Sequence, residues 1–244
     1  MPEQTEHRHI LTFNFRQGRN KPRHDEAMER LWPRYGVEWR PEDGRIDPAE
    51  LFGRTAPVIL EIGSGNGEAA AAMADTDRDR DLLAVEVYPQ GVADLMDRAE
   101  QRGLDNLRVY SGDALPLLWH GLAPGSLDEI RVYFPDPWPK KRHHKRRIIQ
   151  PAHTATMRDL LRPGGVIHCA TDIADYAEQM LEVLTADEHL ENTAEGYAPR
   201  PDHRPVTKFE RRGITAGRQI FDLVFRKART SEQRLEAAQR LLER

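Results

Sequence analysis

Five short apolar runs, each closed by a glycine, proline or acidic break, constrain this chain more than any other feature. They read as strands at Val58 to Ile62, Leu82 to Val87, Leu107 to Tyr110, Leu127 to Phe134 and Val166 to Thr171. Segments of helical character fill the intervals. Glu68 to Ala74 is alanine-rich, and about Pro89 to Gln101 follows the second run. A helix from about Arg147 to Leu161 stops at Pro163-Gly164-Gly165, and another from Ala174 to Leu184 follows the fifth run. Gln219 to Phe225 alternates like a late strand. Strands that alternate with helices return in the same direction and assemble a parallel sheet. The expected class is α/β, with a mostly parallel, doubly wound sheet.

At 244 residues the chain can build one sizeable core with appendages. Residues 1–50 are polar, with a basic segment from Arg16 to His24 and apolar clusters (Phe13, Phe15, Leu31, Trp32, Tyr35, Trp39) that follow no sustained period. They are expected to form an N-terminal arm packed on or near a main domain at 51–229. Residues 230–244 carry leucines at helical spacing and are expected to form a C-terminal helical tail. The net charge of −4 excludes a uniformly basic nucleic-acid coat, so any polyanion site must be a local patch. The single cysteine, Cys169, excludes an intramolecular disulfide and a cysteine zinc site; within its apolar run it reads as a small core residue. No apolar stretch reaches membrane-spanning length and no signal peptide is evident, so the expected setting is the cytoplasm, without a membrane partner.

Ligands of an open parallel sheet bind outside the carboxyl ends of its strands. Four acidic residues fall there: Glu61 within the first strand, Glu86 in the second, Asp113 after the third and Asp136 after the fourth. Like charges on one edge repel unless a ligand or donor offsets them. They suit a ligand that offers hydroxyls, amines and a positive centre, and suit a pyrophosphate badly. A dinucleotide fingerprint requires G-x-G-x-x-G/A, whereas Gly63 and Gly65 are followed by Glu68, which would point charge towards a phosphate. Gly63-x-Gly65-x-Gly67 matches instead the glycine loop of methyltransferases that bind S-adenosylmethionine, where the backbone comes close to the methionine part. An ordinary tight strand-to-helix turn is the alternative. Glu86 stands where a carboxylate accepts from ribose hydroxyls, in a methyltransferase and in a dinucleotide enzyme alike. Asp113 suits an adenine amine or a cap on a helix starting at Ala114.

The fourth strand runs into Phe134-Pro135-Asp136-Pro137-Trp138-Pro139, followed by Lys140 to Arg147, eight residues that hold six fixed positive charges. Alternating prolines prevent continuation as a helix or central strand. The loop therefore presents Asp136 and Trp138 in a fixed geometry beside a surface that attracts phosphate. Trp138 can stack on a base or pack beneath the loop. His143 and His144 are adjacent rather than at metal-ligand spacing, and no metal is expected.

With Leu60-Glu61-Ile62-Gly63-Ser64-Gly65-Asn66-Gly67, Ala84-Val85-Glu86-Val87, Ala170-Thr171-Asp172 and Arg204-Pro205-Val206-Thr207-Lys208-Phe209-Glu210-Arg211-Arg212-Gly213, the chain resembles the bacterial tRNA (guanine-N7)-methyltransferase family from about Thr12 to Lys227. Arg16-Gln17-Gly18-Arg19 also resembles the family's N-terminal pattern. The resemblance implies a Rossmann-like class I S-adenosylmethionine-dependent methyltransferase fold. It implies transfer of a methyl group from S-adenosylmethionine to N7 of a guanine in the variable loop of tRNA. By position it assigns Glu61, Gly63, Gly65, Glu86, Asp113 and Asp136 to the methyl donor. Lys140, Asp172, Thr207, Lys208, Phe209 and Glu210 fall to the substrate, and Arg142, His143, His144, Lys145, Arg146 and Arg147 face the RNA.

Guanine N7 carries an in-plane lone pair and no proton, so its methylation needs no general base. Positioning and electrostatics should dominate. Asp136 suits that role by stabilising the developing purine cation, or by accepting from the guanine edge or the donor's amino group. Asp172 and Glu210 would accept from guanine N1 and the exocyclic amine, with Asp172 also standing where a helix cap would. Thr207 and Lys208 would then hold the neighbouring ribose or phosphate. The basic run would neutralise phosphates and release counterions. Three other readings stay open on sequence: a nicotinamide oxidoreductase, a non-catalytic RNA-binding module on this scaffold, and methylation of another nitrogen.

Overall fold

A computed structural model describes residues 9–14 and 21–228. The Arg16-to-Arg19 pattern and the expected tail at 230–244 lie outside the described residues. The strands are Val58–Ile62 (β1), Asp81–Glu86 (β2), Leu107–Ser111 (β3), Leu127–Tyr133 (β4), Leu161–Thr171 (β5), Leu190–Asn192 (β6) and Phe221–Lys227 (β7). They form one sheet in the order β3-β2-β1-β4-β5-β7-β6. The first five are parallel, and the order reverses between β1 and β4, which makes their carboxyl ends the natural ligand crevice. β7 enters antiparallel between β5 and β6. The short edge strand β6 has too few residues to show a period in sequence.

The helices are Pro22–Tyr35 (α1), Pro48–Phe52 (α2), Glu68–Thr76 (α3), Pro89–Gln101 (α4), Ala114–Pro116 (α5), Pro151–Leu160 (α6), Ala174–Thr185 (α7) and Lys208–Thr215 (α8). Successive strand residues point to opposite faces, and here both faces are covered. Leu60, Val132 and Cys169 pack on one side with Met157 of α6 and Tyr176 and Met180 of α7. Ile59, Ala84 and Val109 pack on the other with Leu31 and Tyr35 of α1 and Leu95 and Met96 of α4. Burial on both faces is why the strands read as continuous apolar runs. It also pushes the Cys169 thiol up to about 12.

Part of the expected arm is built into this core. His24, Ala27, Leu31 and Tyr35 line the buried face of α1 at helical spacing, and two of the four are too small or too polar to stand out in sequence. Val37 N–H donates to the Val109 carbonyl at 2.9 Å, extending the contact beside β3. The helix expected from Arg147 starts instead at Pro151. Proline disfavours helical backbone in the residue before it, and Gln150 is extended (φ −133°, ψ 153°). Lys141–Arg146 forms a separate 3-10 turn.

Candidate active site

Gly63, Gly65 and Gly67 all take positive φ (79°, 58° and 71°), which folds the chain sharply from β1 into α3. A Cβ on Gly67 would stand 2.4 Å from a Leu95 methyl, whereas a Cβ on Gly63 or Gly65 would meet nothing within 4 Å. Those two glycines line a cavity of about 320 Å³ at the carboxyl ends of the strands. Glu86 holds the loop in place, accepting from the N–H groups of Gly65 (2.6 Å), Val87 (2.8 Å) and Tyr88 (2.9 Å).

Glu61, Glu86, Asp113 and Asp136 all line this one cavity, and Thr207 joins them. Among the described residues, the lining includes no lysine or arginine. Glu61 is 3% exposed and its Oε2 has no hydrogen-bond partner among them. Burial raises its carboxyl to about 7; Arg131 opposes the shift and Glu129 adds to it. Burial also raises the Glu86 carboxyl, against its three backbone donors, and the nearby Asp136 charge raises it further. Asp113 takes the cap position: Oδ1 caps α5 through Leu115 N–H (3.0 Å), while Oδ2 meets His9 Nε2 at 2.6 Å on the cavity wall. Asp136 Oδ2 accepts from Asn14 N–H at 2.8 Å.

The loop that carries Asp136 is bent at both ends. Phe134 (φ 50°) and Trp138 (φ 45°) lie in the left-handed region, which bulky side chains occupy only when the surroundings hold them there. Phe134 N–H donates to Ala170 O (2.7 Å), Trp138 Nε1–H to Thr12 O (3.0 Å), and Arg147 Nε–H to Pro137 O (2.8 Å). Trp138 is buried, with the Arg146 guanidinium 4.9 Å from its ring centre, so the indole packs beneath the loop.

Arg147 departs from its expected RNA-facing place. Its side chain is 1% exposed, donates to Gln179 (2.6 Å) and Asp175 (2.7 Å), and lies over the Tyr176 ring. The 3-10 turn explains the change, because it ends the run and turns this last cation inward. Lys140, Arg142 and Lys145 are exposed, and His143, His144 and Arg146 are half-buried.

Asp172 does not cap α7; it pairs with Arg218 (2.8 Å), while Thr171 Oγ1 accepts from Ile173 N–H. Glu210, expected at the guanine edge, is buried, and both its oxygens are taken by Arg204 at 2.7 and 3.2 Å. Glu210 N–H in turn donates to Thr207 Oγ1 (3.0 Å), closing a capping box at the start of α8. That T-x-x-E spacing was available in sequence as a capping signal. Lys208 and Phe209 supply backbone to the first turn of α8; their side chains are outside the described residues. Thr12, Phe13 and Tyr88 also line the cavity, and the Tyr88 hydroxyl donates to the Asn14 carbonyl. No local pattern announces Thr12 and Phe13, because residues near the N-terminus reach the site only through the fold; Tyr88 comes with the turn after Glu86.

Residues 55–223 match the family model described as "Putative methyltransferase". The chain is 51% identical over 229 residues to the tRNA (guanine-N(7)-)-methyltransferase of Streptomyces avermitilis, spanning 93% of this chain and 78% of that protein. It is 49% identical over 228 residues to the enzyme of the same name from Nitrosospira multiformis, spanning 93% and 98%. The chain belongs to the bacterial tRNA (guanine-N(7)-)-methyltransferase family. Among solved structures it resembles the 16S rRNA methyltransferase KamB (TM-score 0.57, 15% identity, 76% of this chain and 95% of that one). It also resembles the 16S rRNA (adenine(1408)-N(1))-methyltransferase of Catenulisporales acidiphilia (TM-score 0.53, 14% identity, 80% and 94%). At those identities the likeness concerns the fold, that of class I methyltransferases.

The cofactor of this family is S-adenosylmethionine, and the cavity fits it. Two glycines leave room for a backbone-close ligand, and a buried carboxylate oxygen has no partner among the described residues. Five lining acids (Glu68 joins the four above), with no lysine or arginine among the described lining residues, favour a positive, hydroxyl-bearing molecule. One other group draws notice: Glu129, His168 and His203 bring ligand atoms within 4.8 Å of one another. Two of its three members are already engaged, since Arg131 and Arg80 hold both Glu129 oxygens and Tyr133 and Asp222 hold both His168 nitrogens.

Proposed function

We propose that the protein transfers a methyl group from S-adenosylmethionine to N7 of a guanine in the variable loop of tRNA. The observation that carries this reading is the carboxylate-lined cavity opening beside the pinned Asp136 loop, which runs directly into an exposed basic turn. Bound S-adenosylmethionine supplies an electrophilic methyl carbon, taken by the N7 lone pair as the carbon–sulfur pair returns to sulfur and positive charge passes to the purine.

The chain's own work is to bind, orient and set the field. Glu61 and Glu86 receive the donor's amine and hydroxyl groups, and Asp113 faces its base. Asp136 stands on a loop that cannot relax, so its negative charge is in place before the purine becomes cationic and costs no reorganisation then. Thr207 lines the cavity from the α8 cap and holds the nucleotide, and Asp172 and Lys140 serve the same substrate from outside the cavity lining. Lys140 to Arg146 takes the phosphates of a tRNA arm. The reaction belongs in the cytoplasm, where tRNA is its partner.

Purified protein, labelled S-adenosylmethionine and an unmodified tRNA transcript test this directly, with strand cleavage at N7-methylguanosine as the readout. Label is expected in the variable-loop guanine. Asp136→Asn keeps the acceptor for Asn14 N–H and should lower kcat roughly 10²- to 10³-fold, with S-adenosylhomocysteine affinity and Tm unchanged. Label elsewhere, or full activity in Asp136→Asn, would refute the assignment.

A further inference from the structure

Between β4, β5, β7 and α8 runs a buried polar chain that the steps above leave unused. The Tyr133 hydroxyl lies 2.8 Å from His168 Nδ1, and His168 Nε2 lies 2.7 Å from Asp222 Oδ1. Burial raises the Tyr133 phenol well above its ordinary value, so it keeps its proton and donates to Nδ1. His168 then carries its own proton on Nε2 and donates to Asp222. Arg204 Nε and Nη2 donate to the two oxygens of the same carboxylate at 3.0 and 2.8 Å. The other side of its guanidinium donates to Glu210 from Nη1 and Nη2 at 2.7 and 3.2 Å. Arg204, Asp222 and Glu210 are each at most 2% exposed. The guanidinium carbon also sits 5.7 and 5.8 Å from the ring centres of Tyr133 and Phe134. One side chain therefore ties the sheet, the first residue of the Asp136 loop and the start of α8 together.

We infer that Arg204 is a positioning residue for methyl transfer, and that Glu210 acts through it rather than by touching guanine. This rests on the methyl-transfer reading of the site. To reach a base, Glu210 would have to leave a two-point buried ion pair and deprive Nη1 of a fully buried guanidinium of its acceptor, which is costly even with Asp222 still in place. Thr207, one turn earlier, already lines the cavity, and Glu210 N–H holds its hydroxyl. The Arg204–Glu210 pair thus sets the distance between Thr207 and Asp136. A shift of about 1 Å in such a distance costs roughly a hundredfold in rate.

The test is a double-mutant cycle on the full chain with Arg204→Lys, Glu210→Gln and the pair, measuring kcat and KM for tRNA, S-adenosylhomocysteine affinity and Tm. Each single variant should lower kcat roughly 10- to 100-fold, with KM for tRNA and S-adenosylhomocysteine affinity held within about twofold. The double variant should be no worse than the worse single, because both remove one coupling. Additive losses, with KM for tRNA raised by Glu210→Gln, would mean that Glu210 touches the base and would overturn the inference. Wild-type kcat in either single variant would overturn it too. If Arg204→Lys does not fold, Asp222→Asn takes its place in the same cycle with the same expected non-additivity. A wild type that transfers no methyl group to tRNA would remove the functional reading and this inference together.

Discussion

Replacing Glu61 by Gln should stabilise the ligand-free protein above neutral pH. Glu61 is buried, and its carboxyl titrates at about 7 in the folded chain against 4.5 for the unperturbed group. A carboxyl raised by folding keeps its proton in the native state while the unfolded chain releases it, so stability falls as pH climbs through that window. At 1.36 kcal/mol per unit, the loss between pH 4.5 and about 7 reaches about 3 kcal/mol and stays constant at higher pH. Glutamine has nearly the same shape and no charge to desolvate. Urea unfolding followed by circular dichroism should therefore leave the two proteins within about 1 kcal/mol of each other at pH 5. At pH 8 the variant should lead by up to about 3 kcal/mol, or roughly 6–12 °C in Tm. The gain should reverse on ligand binding. A positive donor beside Glu61 favours its ionised form, so at pH 7 binding releases up to about half a proton from the wild type and none from Glu61→Gln. Calorimetry in buffers of different ionisation heat reads that proton. A gap that does not change between pH 5 and 8, or a variant that is less stable at pH 8, would refute the reasoning.

Two further outcomes separate exposed from buried cations. Replacing Lys141 and Arg142 by Gln should flatten the slope of log K for tRNA against log salt by about 0.7–0.9 per lost phosphate contact, while kcat at saturating tRNA stays the same. Arg147→Ala should leave that slope alone and cost about 3 kcal/mol in urea unfolding, since it removes the strut between Pro137, Gln179 and Asp175. A flattened slope with unchanged stability would put Arg147 on the RNA.

Much of the fold was legible because a strand buried on both faces announces itself locally, as an apolar run stopped by glycine or acid. The start expected for α6, at Arg147, is four residues early, although Pro151 disfavours helical backbone at Gln150 and that signal needs only two adjacent residues. α1 was harder, since its stripe of His24, Ala27, Leu31 and Tyr35 is apolar in position more than in composition. Nothing local marked β7 as antiparallel, because a strand's direction depends on the end of the sheet at which the preceding connection delivers the chain.

The same division runs through the site. By itself, the sequence determined the chemistry on offer: four acids after successive strands, a glycine turn, a proline-locked aspartate and a block of cations. These follow from residue type and short spacing, which no folding step alters. Only the tertiary structure decided which of those groups remain available. Trp138 and Arg147 became supports for the loop, Glu210 was taken by Arg204, and Glu61 was left with an oxygen unpaired among the described residues. A buried polar group must find a partner, and that partner comes from wherever the chain has brought one within about 3 Å, however far away it lies in sequence.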